Sequence, residues 1–173
     1  FTIPKKSGGQ RSISSPKSKL RAAQSWILEN VLAPVPVHEA AVAFRAGINI
    51  ADNARRHAGS KVIIRIDLKD FFPSITFARV KWMFEKLGYN EGVATIFALL
   101  CTESPRVELT LDGQKHFVAV TQRFLPQGAC TSPAITNILC ERLDKRLHAA
   151  AQKLGFEYSR YADDLIFSSK ARK

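Results

Sequence analysis

Three carboxylates constrain this chain more than anything else in it: Asp67 in IIRIDLKDFF, and the adjacent pair Asp163 and Asp164 in SRYADDLIF. Each closes a β-like apolar run, with Val62, Ile63, Ile64 and Ile66 before the first and Phe156, Tyr158 and Tyr161 before the second. Acids gathered at strand ends repel one another, and the usual compensation is a bound divalent cation. With no Cys or His beside them, these acids suit Mg²⁺, a hard ion held by one or two carboxylates together with substrate phosphates. Two such ions a few ångströms apart form the clamp used for in-line phosphoryl transfer.

For the acids to act together, segments about a hundred residues apart in sequence must meet. Val62–Asp67 reads as a buried strand, and Glu157–Tyr161 with Leu165–Ser168 as a hairpin carrying Ala162 and Asp163 at its tip. Residues 1–16 read as a basic hairpin turning at Gly8-Gly9, and 17–32 as a helix stopped by Pro34 and Pro36. Short helices are expected over 48–58, from Ser74 or Thr76 to Leu87, and over 91–102. Asp112-Gly113 signals a second hairpin. Thr131-Ser132-Pro133 opens a long helix reaching about Leu154. This order predicts an α+β fold in which helices pack on one face of an antiparallel-rich sheet, with the strand ending at Asp67 central beside the hairpin tip.

The 173 residues, 46% hydrophobic, suffice for one core or two intimate subdomains. The formal net charge is +11, which favours polyanionic partners. Its distribution is uneven: residues 1–21 hold Lys5, Lys6, Arg11, Lys17, Lys19 and Arg21 and no acid. Cys101, Cys130 and Cys140 have no metal-binding spacing and fit reduced, mostly buried thiols in a cytoplasmic protein. No apolar run reaches the ~18 residues of a membrane span, and none resembles a signal peptide. The absence of an initial Met points to a portion of a longer protein.

Three further segments carry chemistry. After Asp67 the chain LKDFFPSI turns sharply into a helix, offering backbone N–H groups to phosphate oxygens. Phe72 lies five residues beyond Asp67, within reach of a nucleotide sugar, although Phe71 and Phe72 taken alone read as core aromatics. In LPQGACTSP, Gln127 stands between Pro126 and Gly128, and Gly128 permits close approach of another backbone or a ligand. An isolated Asp-Asp is usually a solvated turn. The apolar Leu165-Ile166-Phe167 beside this one favours a functional turn set in a groove.

Together, IDLKDFFPSI, LPQGACTSP and YADDL, in that order, resemble the fingers and palm of a reverse transcriptase. NARRH, from Asn53 to His57, is similar to a signature of the bacterial retron class. The resemblance implies a right-hand polymerase with fingers over 1–60 and palm over 61–173, part of the fingers being inserted at about 76–125, and a thumb beyond Lys173. It implies an RNA-directed DNA polymerase that extends a primer 3′-hydroxyl with dNTPs on template RNA, using two Mg²⁺ ions, with Mn²⁺ as a substitute. It assigns Asp67, Asp163 and Asp164 to catalysis and metal binding, with the Leu68 backbone as a further ligand. Lys5, Lys6, Arg11, Asp70, Phe71, Phe72 and Gln127 would bind the nucleotide, with Phe72 as steric gate. Gln127, Gly128 and Tyr161 would contact primer or template. Asn53, Arg55, Arg56 and His57 would recognise a cognate structured non-coding RNA, although a lone His in a helix is more often surface or satisfied core. RNA-linked DNA for antiviral defence, and an effector protein as partner, belong to the same picture. The competing readings are a group II intron, diversity-generating or abortive-infection reverse transcriptase, and a non-catalytic RNA-binding module on a polymerase fold.

Overall fold

The computed structural model describes residues 2–4 and 10–171, with backbone but not side chains for Arg11 and Ser12. Lys5, Lys6 and the expected Gly8-Gly9 turn lie outside the described residues. In chain order the elements are β1 (Thr2–Pro4), β2 (Gln10–Ser12), α1 (Ser18–Ile27), α2 (Ile50–His57), β3 (Val62–Asp67), α3 (Phe77–Lys86), α4 (Glu91–Cys101), β4 (Arg106–Leu111), β5 (Gln114–Ala119), α5 (Ser132–Leu139), α6 (Glu141–Lys153), β6 (Glu157–Tyr161) and β7 (Asp164–Ser169). The content is α+β, and every strand pairing is antiparallel. None of these helices is long and apolar enough to cross a membrane.

The chain divides into two compact units: Phe1–Val31 with Phe72–Ser132, and Leu32–Phe71 with Pro133–Lys173. In the first, β1 pairs with β2 in the register Ile3↔Arg11. Helices α3 and α4 bury Val80, Met83 and Phe84 against Ala94, Ala98 and Cys101. The rings of Phe84 and Tyr89 each meet Phe97 edge-on at 5.2 Å. Asn90 caps α4 by accepting from the Val93 amide at 3.0 Å. Strands β4 and β5 form a two-residue hairpin in which Asp112 (φ 51°) and Gly113 (φ 75°) are both left-handed, as the Asp-Gly signal predicts.

The second unit is built on a three-stranded sheet of order β3-β7-β6. Two expectations change here. The central strand is β7, and β3 is an edge strand whose Ile63, Ile64 and Ile66 are 58, 45 and 46% exposed. A continuous apolar run reads as a doubly covered strand, but β3 has a neighbour on one side only. Helices also pack on both faces of the sheet, not one. Side chains alternate along β6: Tyr158 and Arg160 turn towards α6, while Ser159 turns towards α2. The α6 side holds a core of Ala40, Ala151, Tyr158 and Leu165. Residues 40–42 run along the outer edge of β6, where the Arg160 N–H donates to Ala40 O at 2.7 Å and the Val42 N–H to Arg160 O at 3.0 Å.

The long helix expected over 131–154 is interrupted at Cys140 (φ −85°, ψ −1°), giving α5 and α6. Thr136 Oγ1 donates to the Pro133 carbonyl just before the break, a back-bond that bends helices. The helix after Lys17 likewise changes winding: Leu28–Leu32 is a π-type turn ahead of Pro34.

Candidate active site

The site is assembled by strand register. Asp67, the last residue of β3, is the cross-strand partner of Asp164, the first residue of β7. Direct partners lie on the same face, about 4.5–5.5 Å apart at Cα. Asp163 sits in the two-residue loop between β6 and β7, and its carbonyl accepts from the Leu68 amide at 2.9 Å. That bond ties the start of the turn after Asp67 to the tip of the hairpin. The Leu68 carbonyl oxygen is the backbone atom of that residue able to serve a cation.

The hairpin tip is strained. Ala162 has φ 57°, a left-handed conformation that disfavours a Cβ. Its carbonyl accepts from Arg160 Nη1 at 3.1 Å. The same guanidinium makes a two-pronged ion pair with Asp144 of α6, Nε to Oδ1 at 2.9 Å and Nη2 to Oδ2 at 2.7 Å. Both side chains are fully buried, and the Tyr158 hydroxyl donates to the same carboxylate at 2.9 Å. Desolvation pulls the Arg160 guanidinium down, but the Asp144 hydrogen bonds and charge outweigh it, leaving a net rise. Burial, followed by the charge of Asp144, raises Tyr158 far above the ordinary phenol range, so it stays a donor.

On the opposite face Arg65 of β3 reaches across to Asp164, Nε to Oδ1 and Nη2 to Oδ2, each 2.8 Å. The Asp164 hydrogen bond, then its charge, raises the Arg65 pKa, with Asp67 and Asp163 adding in the same direction. The cluster therefore carries its own counter-ion. Among the described residues no group of three or more His, Cys, Asp or Glu side chains is disposed to hold a metal. Each Asp164 oxygen accepts one bond from Arg65 and keeps a further lone pair. Carboxylates such as Asp67, Asp163 and Asp164, completed by substrate phosphates, fit Mg²⁺.

The remaining candidates distribute as follows. Tyr161, half-buried, faces Asp164 across the hairpin loop. A cleft of about 540 Å³ opens beside it, lined by Ile50, Ala54, Ile63, Arg65, Asp164 and Ile166 among others. Asp70 is left-handed (φ 49°) in the turn after Asp67. Phe71 is buried, at 7% exposure, and so is a core aromatic, while Phe72 is half-buried. Gly128 (φ 111°) is demanded by another backbone: a Cβ there would meet Ser14 O at 2.7 Å and Ile13 Cγ2 at 2.9 Å. The Ser14 amide also donates to Gln127 O at 2.8 Å, so the close approach is chain on chain. Gln127 itself is half-buried. Within NARRH, Arg55 and Arg56 are exposed, with Arg55 paired to Asp52. Asn53 and His57 are buried, at 4 and 7%.

Sequence reasoning missed Arg65, Asp144, Ser159, Arg160 and Ser168. One signal was available: Asp144 shares a helical stripe with Leu147 and Ala151, so a charge sat on the apolar face of α6 and called for a buried partner. Burial pushes the Cys101 thiol up to about 12, consistent with inert packing.

Residues 3–173 match the family model described as reverse transcriptase (RNA-dependent DNA polymerase). The chain belongs to the reverse transcriptase family. It is 53% identical, over its full length, to the retron Mx162 reverse transcriptase of Myxococcus xanthus. It is 45% identical over 97% of its length to the retron Mx65 reverse transcriptase of the same organism, and 34% identical over its full length to the retron Ec86 reverse transcriptase of Escherichia coli. These similarities bear out the retron-type resemblance carried by NARRH. The chain spans 36, 39 and 49% of the lengths of these three relatives.

Proposed function

We propose that the protein to which this chain belongs is a retron-type RNA-directed DNA polymerase, extending a primer 3′-hydroxyl with dNTPs on an RNA template. The observation that carries this reading is the Asp67↔Asp164 register, with Asp163 bonded to Leu68 at the adjoining hairpin tip. It gathers acids from the family motifs IDLKDFF and YADDL at one end of one sheet, as phosphoryl transfer to a hydroxyl requires.

In this reading the second unit is the palm and the first contributes the fingers. Asp67 and Asp163 would hold Mg²⁺, assisted by Asp164, which Arg65 orients, and by the Leu68 carbonyl. Mg²⁺, or Mn²⁺ in its place, would supply there the charge that lowers the pKa of a primer 3′-hydroxyl and neutralises a leaving pyrophosphate. The amides of Asp70 and Phe71 receive triphosphate oxygens, with Lys5, Lys6 and Arg11 as cationic partners. Phe72 excludes a ribose 2′-hydroxyl, Gln127 and Gly128 line the template path, and Tyr161 supports the primer end. A structured non-coding RNA as template and primer, RNA-linked DNA as product, a role in antiviral defence with an effector protein, and a cytoplasmic setting complete the proposal.

The test is Asp163→Ala in the full-length protein. Extension of an oligo(dT) primer on poly(rA) is expected to vanish while the melting temperature and co-purifying RNA stay close to wild type. Retained extension would overturn the assignment.

A further inference from the structure

Asn53 and His57 lie one turn apart on α2 and face the catalytic hairpin. The Ser159 hydroxyl of β6 donates to Asn53 Oδ1 at 2.7 Å. A hydroxyl has one proton, so Ser159 Oγ must accept from His57 Nε2, also 2.7 Å away. With Nε2–H as donor in the neutral ring, Nδ1 accepts from the Ser168 hydroxyl of β7 at 2.7 Å. Counting protons thus assigns the tautomer and gives a one-way chain, Ser168 to His57 to Ser159 to Asn53. All four residues are at most 7% exposed. Hydrogen-bond chains of this kind stiffen what they connect, and the protons of Ser168 Oγ, His57 Nε2 and Ser159 Oγ are all committed within this one.

Ser159 stands two residues before Tyr161, and Ser168 four residues after Asp164. Both strands that carry the catalytic turn are therefore pinned to one helix. We propose that Asn53 and His57 are positioning residues, fixing the β6–β7 hairpin and with it Asp163 and Asp164, while RNA contact within the motif falls to the outward Arg55 and Arg56. The proposal rests on the reading of Asp67, Asp163 and Asp164 as the catalytic acids.

The test uses the full-length protein, poly(rA)·oligo(dT) and dTTP, with co-purifying RNA quantified per mole of protein. His57→Ala should lower kcat about tenfold or more, with KM for dTTP and RNA yield within about twofold of wild type. His57→Gln, whose amide offers both a donor and an acceptor, should recover most of the loss. Wild-type kcat in folded His57→Ala, or loss of RNA with kcat unchanged, would overturn the proposal. Should His57→Ala fail to fold, Ser159→Ala and Ser168→Ala each remove one hydroxyl, and wild-type kcat in both would overturn it equally. Asp163→Ala run alongside separates the two claims. Extension surviving there sinks the reading of the acids, whereas a dead Asp163→Ala beside a normal His57→Ala sinks only the positioning role.

Discussion

Arg65 takes both oxygens of Asp164, each at 2.8 Å. No spacing rule in the sequence announces that contact; it depends on a cross-strand neighbour brought by register. Phe72 makes the opposite case, since its position after Asp67 is legible in the motif. Phe72→Val in the full-length protein should raise ribonucleotide incorporation relative to dNTPs by on the order of tenfold, as expected when a pocket loses steric rejection. Unchanged discrimination in a competition primer-extension assay would make Phe72 a core aromatic like Phe71. His57 yields a pH prediction. Burial lowers its pKa below 6.5, Glu157 opposes the shift and Arg56 adds to it. The unfolded chain then binds the proton more readily than the folded one, so stability falls as pH drops from about 6.5 through the lowered folded value. Urea titrations of wild type and His57→Gln from pH 5 to 8 should show the wild-type advantage shrinking on the acid side; a gap independent of pH would refute it.

Elements with local chemistry were readable. Asp112-Gly113 specifies its hairpin, and to the helices expected over 48–58 and 91–102 the structure adds the caps, Asn90 on α4 and the reciprocal Asn49–Asp52 pair on α2, the Asn49 amide donating to Asp52 Oδ2 at 2.7 Å. Elements defined by their neighbours were not. The apolar run of β3 says strand but not edge, because hydropathy counts residues and not partners. The continuous periodicity over 131–154 hides the break at Cys140, since Thr136 bends the backbone without interrupting the apolar stripe. The join of α6 to the β6–β7 hairpin includes the buried Asp144–Arg160 pair, and here truncation should be asymmetric. Arg160→Met leaves a buried carboxylate unpaired and should cost about 3–5 kcal/mol, whereas Asp144→Leu with Arg160→Met should recover much of it. Chemical denaturation of the three proteins checks this, and a double variant as unstable as the single would contradict it.

At the scale of the molecule, each unit has its own buried residues, and all three acids belong to the second. The chain spans 36% of its 53%-identical relative, so the nucleotide site and the grip on primer–template need not be carried by the same residues. Residues 1–173 expressed alone should extend primers weakly, with products about tenfold shorter than those of the full-length protein at equal concentration. Product lengths on poly(rA)·oligo(dT) read this directly, and equal processivity would place the whole grip within these residues. A charge of +11 should make binding weaken steeply with salt in either case.

The sequence by itself determined the strands of the second unit, the Asp112-Gly113 hairpin and the family, because these depend on local periodicity, turn chemistry and short motifs. Tertiary structure decided which acid Arg65 holds, that Asn53 and His57 turn inward, that Gly128 yields to the backbone at Ser14, and that helices cover both faces of the sheet. Those outcomes depend on register and on which partner stands across a face, and neither exists until distant segments have met.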